Sequence, residues 1–130
     1  PLSRGFLSGG FKDAKFFGSE GHFDFRGQLP QFQANVYEQN LELVHSMENI
    51  AKQVGCTAAQ LSLAWLLAQG DDIFPIPGTG NLAHLKDNAD SVGITLSQET
   101  LNTLEALYRD KPQIGKRYPE EVLEMFKLAM

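Results

Sequence analysis

A glycine turn in front of an amphipathic segment is the feature of this sequence whose residue types could do chemistry. Gly78, Thr79 and Gly80 precede a stretch whose apolar residues have helical spacing. Glycines let the backbone approach a ligand closely, and the amides at the start of a helix attract anions. The turn therefore favours a phosphate, although a Gly-Thr-Gly turn also serves as a plain connection. It has neither the Lys-Ser/Thr of a P-loop nor a third glycine at dinucleotide spacing.

The histidines and the single cysteine are the other candidates for proton transfer or metal binding. His84 follows the glycine turn, so it could face an anion there or be a solvated helix residue. His45 fits a partly buried surface position, and His22 lies in an irregular segment. Cys56 is expected to be a small buried hydrophobe rather than a reactive thiol. These residues share no ligand spacing, so the sequence predicts no metal site.

Composition excludes several classes of protein. The 130 residues carry a net charge of −5, which argues against a nucleic-acid partner, and 42% are hydrophobic, as in a globular domain. A single cysteine rules out an intrachain disulfide and favours the reducing cytoplasm. No apolar run approaches the ~20 residues of a membrane helix. The chain starts at Pro1 without an initiator Met, so we expect that its front has been cut.

Five segments have apolar residues at three- and four-residue steps, which predicts five helices. Thr57 and Gln60 have capping-box spacing, Ser97 is a further N-cap, and Pro119 suits the first turn of the last helix. Trp65 lies at helical spacing among Leu and Ala, which indicates packing rather than ligand stacking. The predicted helices cover 37–54, 57–70, 82–92, 97–111 and 119–130.

The remaining segments lack helical spacing. Residues 1–36 combine scattered glycines and phenylalanines without a period, which predicts a long loop, with disorder as the alternative. Residues 73–76 form a short apolar run between turns, typical of a buried parallel strand. Pro75 must then lie at a strand end, an edge or a bulge. A strand, a loop and a helix in this order make half of a βαβ unit.

Three blocks of the sequence resemble the aldo-keto reductases. The opening PLSRGFLSG of residues 1–9 is similar to the family's P-L-G-x-G-x-L-x-G after the seventh barrel strand. DFR at 24–26, with Pro30, Phe32, Asn35 and Asn40, is similar to a segment of the branch that includes pyridoxal reductases and potassium channel β subunits. FPIPGT at 74–79, followed by L-x-x-L-x-D-N at 82–88, resembles the eighth strand and helix. Their order and spacing match over nearly the whole chain.

This resemblance implies the C-terminal portion of a (β/α)8 TIM barrel, mostly helical as cut, with one clear strand at 73–76. Residues 1–36 become a cofactor-side loop, 37–92 hold helices with the last barrel strand and helix, and 93–130 hold the C-terminal helices. The family implies NADP(H), with its diphosphate on the first loop and its 2′-phosphate and adenine on the last. The cofactor-binding residues implied are Pro1, Leu2, Ser3, Arg4, Gly5, Arg26, Gly78, Thr79, Gly80, His84, Asp87 and Asn88.

Two departures from the family pattern change these expectations. Many relatives have Arg-Lys after Gly-Thr, whereas this chain has Gly80-Asn81, so that NAD(H) is also possible. The family's catalytic Asp, Tyr, Lys and His lie upstream of Pro1. The chain therefore contributes no catalytic residue, and we expect it to be inactive alone.

The function implied is that of a cytoplasmic NAD(P)H-dependent oxidoreductase that reduces aldehydes or ketones to alcohols. The alternatives are a non-catalytic NADP-binding regulatory module and an inactive truncated fragment. The expected partners are a small carbonyl substrate and the missing N-terminal part of the barrel, and an open sheet edge also allows self-association. Neither nucleic acid nor a membrane is expected.

Overall fold

The computed structural model describes residues 2–10 and 24–128, which fall into two compact units. The first unit contains 2–10 and 43–112, and the second contains 24–42 and 113–128. Short 3-10 turns lie at Ser3–Ser8, Phe25–Gln28, Pro30–Phe32 and Ser91–Gly93. The α-helices are α1 (Ala34–Val54), α2 (Ala58–Leu67), α3 (Leu82–Asp90), α4 (Gln98–Asp110) and α5 (Glu120–Leu128).

The helix starts follow the capping signals of the sequence. The Thr57 hydroxyl accepts a hydrogen bond from the Gln60 amide at 3.1 Å, and the Gln60 side chain accepts one from the Thr57 amide at 3.0 Å. Ser97 likewise accepts from the Thr100 amide at 3.1 Å. Gly55 ends α1 at φ +85°, a conformation that favours glycine. The predicted capping box and the Ser97 cap are confirmed because both depend only on neighbouring residues.

The core of the first unit is built from three helices. Met47 and Ala51 of α1, Leu61 of α2 and Leu104 of α4 are almost completely buried against one another. Trp65 packs beside them, so its predicted role in packing is confirmed. The predicted apolar stripe of α1 is thus the face that builds this core, because helical spacing brings its residues to one side.

The second unit contains two aromatic pairs and an ion pair at the start of α5. Phe32 and Tyr37 are buried and stack with 6.1 Å between ring centroids. Tyr118 meets Phe126 of α5 edge to face at 5.5 Å. Lys116 pairs with Glu120 in the first turn of α5, and this hydrogen bond holds the pKa of the Glu120 carboxyl below its usual value.

The strand predicted at 73–76 is wrong for the described structure, in which these residues are non-helical but pair with no other described segment. The side chains of Phe74 and Ile76 are 82% and 88% exposed, and their neighbours Ile73 and Pro75 are partly buried. Exposure thus alternates as it does along a strand. A strand is defined by its hydrogen-bonded ladder, and no segment within 2–10 or 24–128 supplies one.

The apolar face of α3 is also exposed. In α3, Leu82 is 80% exposed, Leu85 is more than half exposed, and no residue is buried. Val92, in the 3-10 turn that follows α3, is 77% exposed. The apolar spacing predicted the helix correctly, but the described part of the chain does not cover its apolar face. We call Phe74, Ile76, Leu82, Leu85 and Val92 the exposed apolar set.

Where the structure describes residues 1–36, the predicted long loop contains short 3-10 turns. Ser3–Ser8, Phe25–Gln28 and Pro30–Phe32 form 3-10 turns, and α1 begins at Ala34 rather than at residue 37. Residues 11–23, which include His22, lie outside the described residues. Among the described helices, none has both the length and the apolar character needed to cross a membrane.

Candidate functional site

The Ser3–Ser8 turn, which contains Gly5 and is the first of two glycine-bearing segments, has a left-handed backbone over three successive residues. Ser3, Arg4 and Gly5 have φ values of 47°, 58° and 89°. Left-handed backbone costs a non-glycine residue roughly 1–2 kcal/mol. Ser3 and Arg4 are the non-glycine residues with positive φ in 2–10 and 24–128. Strain of this kind clusters at ligand sites, where a turn that groups backbone amides binds anions.

The residues after this turn hold the strained backbone in place. The Gly5 amide donates to the Leu2 carbonyl at 2.9 Å, and the Ser8 hydroxyl donates to the Gly5 carbonyl at 2.6 Å. Phe6 and Leu7 are buried. Gly9, at φ +68°, ends the turn so close to α1 that a Cβ atom there would lie 2.5 Å from Glu48 Oε1. These hydrogen bonds and buried side chains therefore offset the cost of the strained backbone.

The second glycine turn leads into α3 through an asparagine cap. Asn81 Oδ1 accepts hydrogen bonds from the amides of Ala83 at 2.8 Å and His84 at 3.3 Å. The Thr79 hydroxyl in turn accepts from the Asn81 amide at 3.1 Å. These first-turn amides are thus already bonded, so the expectation that they are open to an anion does not hold for Ala83 and His84. The signal in the sequence is the strong N-cap preference of asparagine before a helix.

The polar residues of α3 divide between solvent and the rest of the first unit. Thr79, Gly80 and His84 are exposed, and Asp87 and Asn88 are half-buried. The Asp87 carbonyl accepts a hydrogen bond from the side chain of Gln60 in α2 at 3.2 Å. This contact ties α3 to α2. The exposed residues line the start of α3, where a ligand can reach them.

Helix α2 brings the two glycine-bearing segments into one unit. The Ser3–Ser8 turn packs against α2, and α3 packs against α2 as well. A large part of α2 is buried, and it carries no charged side chain. Segments far apart in the sequence therefore share one supporting helix, as a site built from both of them requires.

Arg26 lies in the second unit, where its guanidinium is engaged by a neighbouring carboxylate. Arg26 Nε donates to Asp24 Oδ1 at 2.9 Å and to Oδ2 at 3.0 Å, and Nη2 pairs with Oδ2. The Arg26 amide donates to Asp24 Oδ1 at 3.0 Å. The resemblance implied that Arg26 binds the cofactor, but not that Asp24, two residues away, pairs with it. The pairing fixes the orientation of the Arg26 guanidinium.

The remaining sequence candidates have ordinary surroundings. His45 is exposed rather than partly buried as predicted. Cys56 is half-buried beside the core, and burial raises the pKa of its thiol, which disfavours the reactive thiolate. Across the described ranges, no three His, Cys, Asp or Glu side chains gather into a metal-binding group. Pro1 lies outside these ranges.

Comparison with known proteins supplies the family. A family model described as "Aldo/keto reductase family" matches residues 1–109, which include the left-handed turn, Arg26, the second glycine turn and α3. The chain belongs to the aldo/keto reductase family. A curated relative, aldo-keto reductase yakc of Schizosaccharomyces pombe (strain 972 / ATCC 24843), is 45% identical over 119 residues, and its name specifies NADP(+). No solved structure matches.

The match to the aldo/keto reductase relative covers 92% of this chain but 34% of the relative, so the chain spans about a third of that protein's length. Membership in the aldo/keto reductase family implies a TIM barrel as the fold of the complete domain. In such a barrel each strand is paired on both sides. The described residues alone do not provide that pairing for 73–76.

Proposed function

We propose that this chain is the cofactor-binding part of an NADP(H)-dependent oxidoreductase that reduces aldehydes or ketones to alcohols. Its family and the NADP(+) in the name of its relative support this proposal. The observation that carries it is the packing of the Ser3–Ser8 turn and of α3 on the same helix, α2. Ligands of TIM barrels bind where the loops after the strands meet, and these two segments are such loops by their family positions.

The left-handed turn fits the diphosphate of a nicotinamide dinucleotide. Its backbone is strained at Ser3 and Arg4, the adjacent Phe6 and Leu7 are buried, and Arg4 adds a cationic side chain. An arginine guanidinium is a usual partner of a diphosphate. The reduced nicotinamide supplies the hydride of the reaction. The task of the turn is to bind and orient the group that carries it.

The adenosine end is assigned to the loop and helix from Gly78 to Asn88. Thr79 and His84 are exposed there and offer hydrogen bonds. Asn81 occupies the position at which many relatives have a cation, and its side chain is committed to the helix cap. We therefore expect only a modest preference of NADPH over NADH.

We further propose that the exposed apolar set is covered by the remainder of the barrel. Phe74 and Ile76 point to one side of an extended segment, and α3 presents Leu82 and Leu85 without cover from the described residues. Fully burying one such side chain is worth about 1.5–3 kcal/mol, so a partner that covers several of them binds strongly. Self-association of the chain through the same residues is the competing outcome.

The test of the cofactor site is a titration of the chain with NADPH and NADH, followed by nicotinamide fluorescence. Arg4→Asn removes the charge and keeps a residue that tolerates left-handed backbone, and Arg4→Lys keeps the charge. Arg4→Asn is expected to weaken NADPH binding about tenfold or more, because a charge-assisted hydrogen bond contributes about 1.5–3 kcal/mol. Arg109→Asn, at an exposed arginine of α4 that pairs with Asp110, is the matched control and leaves binding unchanged.

The reaction is tested with the protein extended by its upstream coding sequence. The proposal expects loss of nicotinamide absorbance from NADPH that depends on added aldehyde. Cofactor binding without turnover by the extended protein supports the non-catalytic module instead. Absence of binding by both proteins up to millimolar cofactor contradicts the proposed function.

A further inference from the structure

The C-terminal segment 113–118 is clamped to α1 by one buried side chain. Asn40 is 2% exposed, its Oδ1 accepts from the Ile114 amide at 2.7 Å, and its Nδ2 donates to the Ile114 carbonyl at 2.9 Å. Both ends of the asparagine amide thus bind the backbone of one residue that lies 74 positions later in the chain. A buried amide satisfied on both sides fixes its partner in one place.

The next residue of this segment touches the turn before α1. Gly115 has φ +94°, and a Cβ atom there would lie 3.0 Å from Gln31 Cα and 3.0 Å from Val36 Cγ1. The two backbones are therefore in direct contact, and only glycine allows this approach. Gln31 is 5% exposed, but its side-chain nitrogen has no hydrogen-bond partner among the described residues. The side-chain nitrogen of Gln31 therefore does not hold the turn in place, whereas the backbone contact with Gly115 does.

Hydrogen bonds connect this turn to Arg26. The Leu29 amide donates to the Arg26 carbonyl at 3.0 Å, and the Phe32 amide donates to the Leu29 carbonyl at 3.0 Å. The Gln33 side chain donates to the Gly27 carbonyl at 2.7 Å. The turns at Phe25–Gln28 and Pro30–Phe32 thus form one continuous hydrogen-bonded piece that begins at the ion pair of Asp24 and Arg26.

We propose that the segment 113–118 positions Arg26, with Asn40 and Gly115 as positioning residues. The inference rests on the proposed function in one respect, because it takes over the cofactor-binding role that the family resemblance implies for Arg26. Ile114 is joined to α1 through Asn40, and Gly115 contacts Gln31 in the Pro30–Phe32 turn. Hydrogen bonds then join that turn to the Phe25–Gln28 turn, which contains Arg26. The family model ends at residue 109, so this support is supplied by chain beyond the matched family region.

Hydrogen exchange of the chain itself tests the mechanical part of this inference. Asn40→Leu removes both hydrogen bonds to Ile114 at similar size. The Gly27 and Leu29 amides are then expected to exchange about tenfold faster, while amides of α2 and α4 keep their rates. Gln39→Leu, one residue earlier on an exposed face, is the matched control and leaves these amides unchanged. Release of 113–118 without any change at Gly27 and Leu29 overturns the inference.

A second variant keeps the test valid where Asn40→Leu unfolds the chain. Gly115→Ala retains the Asn40 clamp and forces apart the contacts of Gly115 with Gln31 and Val36, so the Leu29 amide is still expected to exchange faster. Gly55→Ala is its control, because Gly55 has a similar positive φ of +85° but a Cβ atom there meets no other residue within 4 Å. Equal exchange at Leu29 in these two variants also overturns the inference.

Cofactor titration separates this inference from the proposed function. Asn40→Leu and Arg26→Met are each expected to weaken NADPH binding about tenfold, and the double variant no further, because both act through the same guanidinium. Additive losses show that Asn40 acts elsewhere and contradict positioning of Arg26. Faster exchange at Gly27 with no NADPH binding by the unmodified chain contradicts the proposed function and the role of Arg26 at the cofactor, and leaves the mechanical coupling established.

Discussion

The side-chain amide of Gln60 donates a hydrogen bond to the backbone carbonyl of Asp87 over 3.2 Å. The oxygen of the same side chain accepts from the Thr57 amide and closes the capping box of α2. One residue therefore caps the helix that supports both glycine-bearing segments and holds one of them by its backbone. These two tasks use different atoms, Oε1 for the cap and Nε2 for Asp87, so a substitution can separate them.

Gln60→Glu keeps the cap and removes the bond to Asp87. Glutamate is the other residue that completes a capping box, but its carboxylate cannot donate to a carbonyl. We expect a loss of about 1 kcal/mol in the free energy of unfolding and faster hydrogen exchange confined to α3. Thr57→Ala is the complementary variant, with a similar loss in stability but faster exchange at the start of α2. Equal exchange patterns in the two variants would show that Gln60 does not hold α3.

Alanine substitutions at three glycines separate the cost of positive φ from the cost of steric contact. Gly9 combines positive φ with a close approach to Glu48, Gly55 has positive φ in open space, and Gly10 has neither. Alanine is expected to cost about 1–2 kcal/mol at Gly55 and a similar amount at Gly9, where the flexible end of the Glu48 side chain can move away, and little at Gly10, as measured by urea unfolding. Glu48→Ala in the Gly9→Ala background should therefore leave the penalty unchanged. A penalty that falls would assign part of the cost to the contact with Glu48.

The N-cap of α3 links helix stability to cofactor preference. Asn81→Asp keeps an acceptor at the cap and is expected to leave the unfolding free energy within about 0.5 kcal/mol, whereas Asn81→Ala loses about 1 kcal/mol. The added carboxylate should repel a 2′-phosphate, so Asn81→Asp binds NADPH more weakly while NADH binding is unchanged. Fluorescence titration with both cofactors measures this ratio. An equal effect on both cofactors would place the 2′-phosphate away from Asn81.

Features that depend on neighbouring residues, such as helix caps, could be predicted from the sequence. Features that depend on contacts between distant residues could not. The cap of α2 depends on Thr57 and Gln60, which are neighbours, so its spacing was sufficient to predict it. The clamp between Asn40 and Ile114 joins residues 74 positions apart, and no spacing rule links them. The strand at 73–76 needs a ladder partner, which the described residues do not supply. At the candidate site, the residue types were visible in the sequence, but the commitment of Asn81 to its helix was not.

Tyr108 predicts how stability depends on alkaline pH. Burial raises the pKa of Tyr108 to about 12, compared with about 10 for an exposed tyrosine. Between these values the unfolded chain loses the proton and the folded chain keeps it, so the stabilising contribution is complete below about pH 10 and lost as pH rises towards about 12. Urea unfolding across this range should show that the stability of the unmodified chain falls relative to that of Tyr108→Phe as pH rises above about 10. Curves that stay parallel would show that Tyr108 titrates equally in both states.

The exposed apolar set predicts association of the isolated chain. Phe74 and Ile76 are more than four-fifths exposed on an extended segment, and an unpaired extended segment next to apolar side chains recruits another strand. Sedimentation velocity is expected to show species larger than the monomer. Phe74→Lys should lower the association constant by about one to two orders of magnitude, because it removes about 1.5–3 kcal/mol of apolar burial. Met125→Lys, at an exposed methionine of α5, is the control that leaves association unchanged. A strictly monomeric chain, or equal effects of the two lysines, would show that the apolar residues of 74–92 do not form the contact.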